Sequence, residues 1–391
     1  MVVEIIMIGE RELVVLQSIG TAADIEGLQP FEQQAQATSQ KQLEINRIIP
    51  GLEYTNTMPC RRFVFPAVRS NSFYHCLSRV VDRNFVFDVH ERDVFRKMMR
   101  QVEAFSGVRV LTWTILSNHF HLLLEVPPRP DDDLADDEIL DRCRALYSAE
   151  AMVAIEWEFE EARRTAGDVH GRLRARYLKR MWDLSEFMKT LKQKFTLWFN
   201  RNHDRVGHLW EARFKSVIVE GHWNSLLKVA AYIDLNSVRA GMVDDPKDYR
   251  WCGYCEAVAG DRKARRGISA ALADLKADAH WGDVGPRYRK ILFGVGGENS
   301  VRAGLSREAV AKVWADGGKL SLAQLLRCRV RYFSDGMVVG RESFVNSVFA
   351  VLREMFSERR ESGSRKMAGG EWDGLCSARA LRVKPVDPGG V

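Results

Sequence analysis

The chain has 391 residues, 46% of them hydrophobic and 28% charged; that is a length for two or three domains, and the composition excludes a mostly disordered or fibrous protein. Its net charge, 58 − 52 = +6, permits an acidic partner such as nucleic acid without requiring one. Seven scattered cysteines make a poor disulfide framework, no apolar run approaches the roughly 18–20 residues of a membrane span, and no basic leader precedes an apolar stretch at the start, so a soluble, reduced, intracellular chain with no membrane partner is expected.

Residues 1–57 read as a poorly ordered lead-in, with six glutamines between Gln29 and Gln42 and no sustained period. A catalytic unit is expected over 58–260, opening on a strand from Asn71 to Arg79. Val94, Met98, Val102 and Phe105 then share one face of a helix from Asp88 to Ser106, closed by Gly107, where a left-handed residue is wanted. Val108–Val126 is the most strand-like stretch, with Ser117-Asn118 as a turn between two runs. Pro127, Pro128 and Pro130 end it, because proline cannot donate to a ladder.

An acidic, highly charged segment at 128–180 predicts a helical insertion. After it, Phe187, Leu191, Phe195 and Phe199 stand four apart on a helix from Leu184 to Asn202. A short strand is expected at Phe214–Glu220, and a helix at Asn224–Ala240 with Asn224 as its N-cap. The order β-α-β-β-α-β is that of a ferredoxin-like (RRM-like) α+β fold: an antiparallel sheet with helices on one face. Residues 261–391 predict a helical C-terminal region, with helices at Ser306–Asp316, Ser321–Cys328 and Gly340–Arg360 and a frayed last thirty residues.

The sharpest local feature is His119-Phe120-His121. On a strand, residues i and i+2 project from one face, so both imidazoles point the same way with Phe120 buried opposite. Two neutral imidazoles suit a divalent metal; two ordinary histidines on a polar face are the commoner outcome for the bare pattern. Tyr232 and Asn236 stand one helical turn apart, where packing and capping are their more frequent roles. His75 could approach the metal or be a hydrogen-bonded structural residue, and His203 and His208 carry no assigned role. Cys252-Gly253-Tyr254-Cys255 lacks the preceding strand and opening helix of a redox Cys-x-x-Cys, and reads as two incidental thiols.

Four blocks in order, Phe73-Tyr74-His75, Asn118-His119-Phe120-His121-Leu122-Leu123, Gly207-His208-Leu209-Trp210-Glu211-Ala212-Arg213-Phe214-Lys215-Ser216 and Tyr232 to Val243, resemble the single-tyrosine HUH transposases (IS200-like), and within them the REP-associated branch. The resemblance spans roughly 58–256. It implies that His119 and His121 bind a divalent metal, Mg²⁺ or Mn²⁺, with Asn236 as a further ligand, and that Tyr232 is the nucleophile. It implies cleavage and rejoining of single-stranded or imperfect-hairpin DNA through a 5′-phosphotyrosine, by a monomer or homodimer in a bacterial cytoplasm. Ser237 stands where that family typically has proline, and serine lets the helix run on or cap.

Basic residues near aromatic ones are the candidates for holding DNA. Arg79, Arg213, Lys215 and Arg239 lead them, while Arg61, Arg62, Arg69, Arg83, Lys192, Lys194, Arg201 and Arg205 lie near Trp198, Phe199 and Trp210. Over 181–250, eleven basic side chains stand against nine acidic ones, so charge alone barely favours DNA. The competing functions are a hairpin-binding protein that does not cleave, suggested by Ser237 and the insertion, and a metal phosphohydrolase without covalent chemistry.

Overall fold

Three segments rich in β-branched and aromatic residues form the first strands: β1 (Ser72–Arg79), β2 (Arg109–Ile115) and β3 (His119–Val126). The structure is a computed structural model that describes residues 70–131, 133–272, 280–294, 311–313, 315, 318–379 and 386–387. The lead-in 1–57, Arg61, Arg62, Arg69 and most of the predicted helix at 306–316 lie outside the described residues.

Helix α1 (Val89–Ser106) follows β1 and ends on Gly107 at φ 72°, the left-handed cap that its sequence predicts. The charged segment folds as α2 (Asp136–Leu146), α3 (Ala149–Arg164) and α4 (Val169–Leu178). It is more than an appendage: Ile139, Cys143 and Phe159 are buried in one apolar cluster with Phe95 of α1 and Phe195 of α5 (Leu184–Asn202). The Asp183 side chain accepts from the Glu186 amide and starts α5, a direct N-cap. Strand β4 (Lys215–Val219) completes the β-α-β-β-α-β order, helix α6 (Trp223–Asp234) follows it, and α7 (Asn236–Arg239) is a single further turn.

The strand order β2-β3-β1-β4, all antiparallel, is that of the split βαβ layout. Alternation sends Phe120, Leu122 and Leu124 to one face against α1 and α5, and His119, His121 and Leu123 to the other. The second face is also covered. Helix α6, α8 (Gly253–Val258), α9 (Arg262–Ala271) and α10 (Trp281–Phe293) build a second core there, which is why β3 is buried along its whole length.

The described residues of the C-terminal region are not all helix, as was expected, but include short strands. After α11 (Leu322–Leu326), β5 (Arg329–Val330) and α12 (Arg331–Asp335), residues Val338–Arg341 form β6, parallel to β4. Helix α13 (Glu342–Val351) is shorter than predicted. Then β7 (Arg365–Lys366) and β8 (Leu375–Ser377) extend the sheet to β2-β3-β1-β4-β6-β8-β7, and β9 (Val386–Asp387) pairs with β5. Strands of two to four residues carry no readable alternation, and their partners are distant in sequence. Lys228 of α6 ties this region down, donating to the Trp372 carbonyl at 3.0 Å.

Helix α9 lies directly on β2 because Gly267 has no side chain: a Cβ there would run into the Leu111 carbonyl. Gly267→Ala is therefore expected to push helix from strand and to destabilise the chain by about 1–3 kcal/mol. Urea unfolding measures it, and an unchanged midpoint would refute the close-contact account. Among the described residues no helix is long and apolar enough to cross a membrane.

Candidate active site

Where β1, β3 and β4 end beside α6 and α7 there is a cleft of about 220 Å³. Its lining includes His119, His121, Tyr232 and Asn236, with Arg79, Arg213, Lys215 and Arg239. All eight residues singled out from the sequence thus converge, although 160 positions separate the first from the last.

The histidine pair sits on β3 as strand parity requires, with ring centroids 5.2 Å apart. Both are nearly inaccessible, at 2% and 5% exposure. Burial pushes His119 down to about 3 and His121 well below the ordinary 6.5; Arg79 and Arg239 add repulsion in both cases. The rings are therefore neutral at physiological pH. A hydrogen bond fixes the tautomer of His119. The Asn118 amide nitrogen donates to the Arg83 carbonyl at 3.0 Å, which turns Asn118 Oδ1 toward His119 Nδ1 at 2.7 Å. A carbonyl oxygen can only accept, so His119 carries its proton on Nδ1 and keeps its lone pair on Nε2.

Tyr232 is 3% exposed, yet it faces the histidines: its ring centroid is 6.4 Å from that of His121. One chain therefore brings tyrosine and histidine pair together. Phe333 packs edge-on against the tyrosine ring at 5.1 Å, and the Arg239 guanidinium lies 3.9 Å over its face, a cation–π contact that holds the ring. The helix expected to run from Asn224 to Ala240 starts instead at Trp223, capped by His222, and breaks at Leu235. The break occurs although Ser237 could have continued the helix, and it leaves the Ser237 hydroxyl buried without a partner.

Asn236 and Arg239 line the cleft and also have partners inside the fold. The Asn236 amide nitrogen donates to the Ile233 carbonyl at 3.1 Å, and its oxygen accepts from Arg239 at 2.6 Å. That oxygen is thus held by a guanidinium, an unfavourable place for a cation. Arg239 also donates to the carbonyls of Tyr232 at 2.7 Å and Leu326 at 2.6 Å, so it buttresses the tyrosine's helix. The donors this corner would offer a divalent ion are the two imidazole nitrogens of His119 and His121. Among the described residues no three His, Cys, Asp or Glu side chains converge as a metal cluster.

Arg213 and Lys215 are exposed on the cleft wall, and Lys215 pairs with Asp335 at 2.9 Å. Arg79 is held below its ordinary range by burial and by the nearby charges of Arg83 and Arg329, which Glu211 partly offsets. That crowding of like charge marks a place for an anion. Arg329 and Ser334 also line the cleft, and no sequence signal pointed to either.

Of the other basic-aromatic candidates, Arg83 lines the cleft, and several have partners inside the fold. Lys192 and Lys194 donate to the carbonyls of Ala212 and Leu146. Phe199 and Trp210 pack in the first core, and His203 stacks on Phe199 at 4.1 Å. Cys252 is a capping residue: its sulfur accepts from the Cys255 amide and donates to the Pro246 carbonyl.

Residues 68–131 match the family model described as "Transposase IS200 like". The matched span contains β1, α1, β2 and β3, and with them His119 and His121; it ends well before Tyr232. No curated protein matches the chain. Among solved structures, a REP-associated tyrosine transposase bound to a REP hairpin is similar at 13% identity and a TM-score of 0.33, covering 51% of this chain and 86% of that one.

Proposed function

We propose that this chain is a DNA strand transferase that uses Tyr232 as nucleophile on single-stranded or hairpin DNA. The observation that carries the reading is the facing of Tyr232 and the His119–His121 pair across one cation-lined cleft, in a chain whose residues 68–131 match the IS200-like transposase model. The phenolic oxygen attacks phosphorus, the bond from phosphorus to the 3′ oxygen breaks, and a 5′-phosphotyrosine remains. The phenolic proton leaves to water in the cleft, and the 3′ oxygen departs as a hydroxyl. Reversal with a second 3′ hydroxyl rejoins DNA without an outside energy source.

His119 and His121 would hold Mg²⁺ or Mn²⁺, of which imidazole ligation favours Mn²⁺. When bound, the ion supplies charge stabilisation to the phosphate and the departing oxygen. Arg79, Arg83, Arg213 and Lys215 would grip phosphates along the cleft, and Arg239 keeps the tyrosine ring in place.

Incubation with Mn²⁺ and end-labelled hairpin DNA is expected to give a covalent protein–DNA adduct that Tyr232→Phe abolishes, with the variant's DNA affinity unchanged. An adduct that survives the substitution overturns the assignment. A second reading, a hairpin-binding protein that does not cleave, draws on the engagement of Asn236 by Arg239. It predicts metal-independent binding and no adduct from the unaltered chain.

A further inference from the structure

His75 lies on β1 with none of its surface exposed. It stands opposite Leu123 in the β1–β3 ladder, while Leu77 stands opposite His121. His75 and His121 are therefore diagonal neighbours on one face, within reach of each other's rings. The rings stack at 5.0 Å, with His75 Nε2 2.8 Å from His121 Nδ1. The other nitrogen, His75 Nδ1, lies 2.7 Å from the carbonyl oxygen of Phe333 in α12.

These contacts form a chain with one consistent arrangement of protons. The Phe333 carbonyl only accepts, so His75 donates to it from Nδ1. A neutral His75 then offers a lone pair at Nε2, and His121 must donate there from its own Nδ1. His121 is left with its lone pair on Nε2, the same nitrogen that Asn118 leaves free on His119. Had the chain been oriented the other way, His121 would present an N–H to the cleft and could not ligate a metal.

The geometry points to His75 as a positioning residue that fixes the ring and tautomer of His121, and to the carboxy-terminal unit as part of the candidate centre through the Phe333 carbonyl. This rests on the metal site proposed above and deepens it. It also gives residues 329–334 a function: Phe333 braces both His75 and Tyr232, and Arg329 and Ser334 wall the cleft. Partners that orient ligating histidines in this way typically contribute 10- to 100-fold in metal affinity.

Two measurements on the full chain test it. In the metal-free protein, long-range proton–nitrogen NMR with labelled histidine is expected to show His121 protonated on Nδ1 and bare on Nε2. A proton on Nε2 overturns the proposal whether or not the chain binds metal or cleaves DNA. Mn²⁺ affinity, followed by the electron paramagnetic resonance of the free ion, is expected to fall about 10- to 100-fold in His75→Phe. In His75→Gln it should stay within a few-fold, since the amide can donate to Phe333 and accept from His121. Equal affinity in folded His75→Phe and the unaltered chain, or equal weakness in the two folded variants, also overturns it. Should neither variant fold, the tautomer in the unaltered chain decides. A correct tautomer without measurable Mn²⁺ binding upholds the relay and counts against the proposed metal-dependent function.

Discussion

The double substitution His119→Ala, His121→Ala is expected to lower adduct formation at least about a thousandfold while leaving hairpin affinity within a few-fold of the original. Both side chains line the cleft, and Nδ1 of each ring is already engaged, that of His119 by Asn118 and that of His121 by His75. Losing both removes the fixed donors of a metal that offsets charge in the transition state, a contribution of several kcal/mol; about 4 kcal/mol corresponds to a thousandfold in rate. The cations that hold phosphate are on other residues: Arg79 and Arg83 around the end of β1, Arg213 and Lys215 before and in β4. Binding and chemistry should therefore separate. Gel-shift and denaturing-gel assays on the same preparation, with a thermal melt to verify folding, make the comparison. An adduct undiminished in a folded variant would exclude the histidine pair from the reaction. The third reading, hydrolysis without a covalent intermediate, is distinguished in the same gels by nicked product without retarded protein.

The parts of this site that could be read in the sequence are those with local signals. The histidine pair was legible because strand parity needs only three residues, and Phe120 is buried opposite as parity dictates. Helix α5 was legible, since four phenylalanine and leucine positions recur at one spacing; its Asp183 cap was seen only in the structure. The break at Leu235 was not, because nothing in Asp234-Leu235-Asn236-Ser237 forbids helix; tertiary contacts, among them Arg239 reaching Leu326, decide it. Nor could His75 be paired with Phe333, 258 positions away. The internal partners of Lys192, Lys194 and Trp210 were hidden from the sequence for a related reason. Composition shows that cations and aromatics are near one another, while only the fold shows which already have internal partners.

Asp234 gives the clearest pH signature. It lies two residues after Tyr232 with none of its surface exposed, and it accepts from Thr112 Oγ1 at 2.7 Å and the Tyr254 amide at 3.3 Å, with Tyr288 hydroxyl against its other oxygen. Among the described residues no guanidinium or ammonium pairs with it, and burial pushes its carboxyl from 3.8 up to about 7. Between those values the folded chain keeps the proton that the unfolded chain releases. The stabilisation is complete below about pH 4 and is lost as pH rises through 7, about 4 kcal/mol in all. The buried histidines act in the opposite direction. His75 is lowered to about 4 and His119 to about 3, so their contribution is present above 6.5 and is lost as pH falls toward those values. In the unaltered chain the two slopes oppose each other between pH 4 and 6.5. Asp234→Asn is nearly isosteric: its oxygen can still accept from Thr112 and Tyr254, and its nitrogen can donate to the Tyr288 oxygen. The variant is expected to match the unaltered chain near pH 4, to gain on it progressively above that, and to be more stable by several kcal/mol at pH 8. Urea midpoints for both proteins across pH 4–8 measure the difference, and a difference that stays constant over that range would show that Asp234 is ionised in the folded chain throughout.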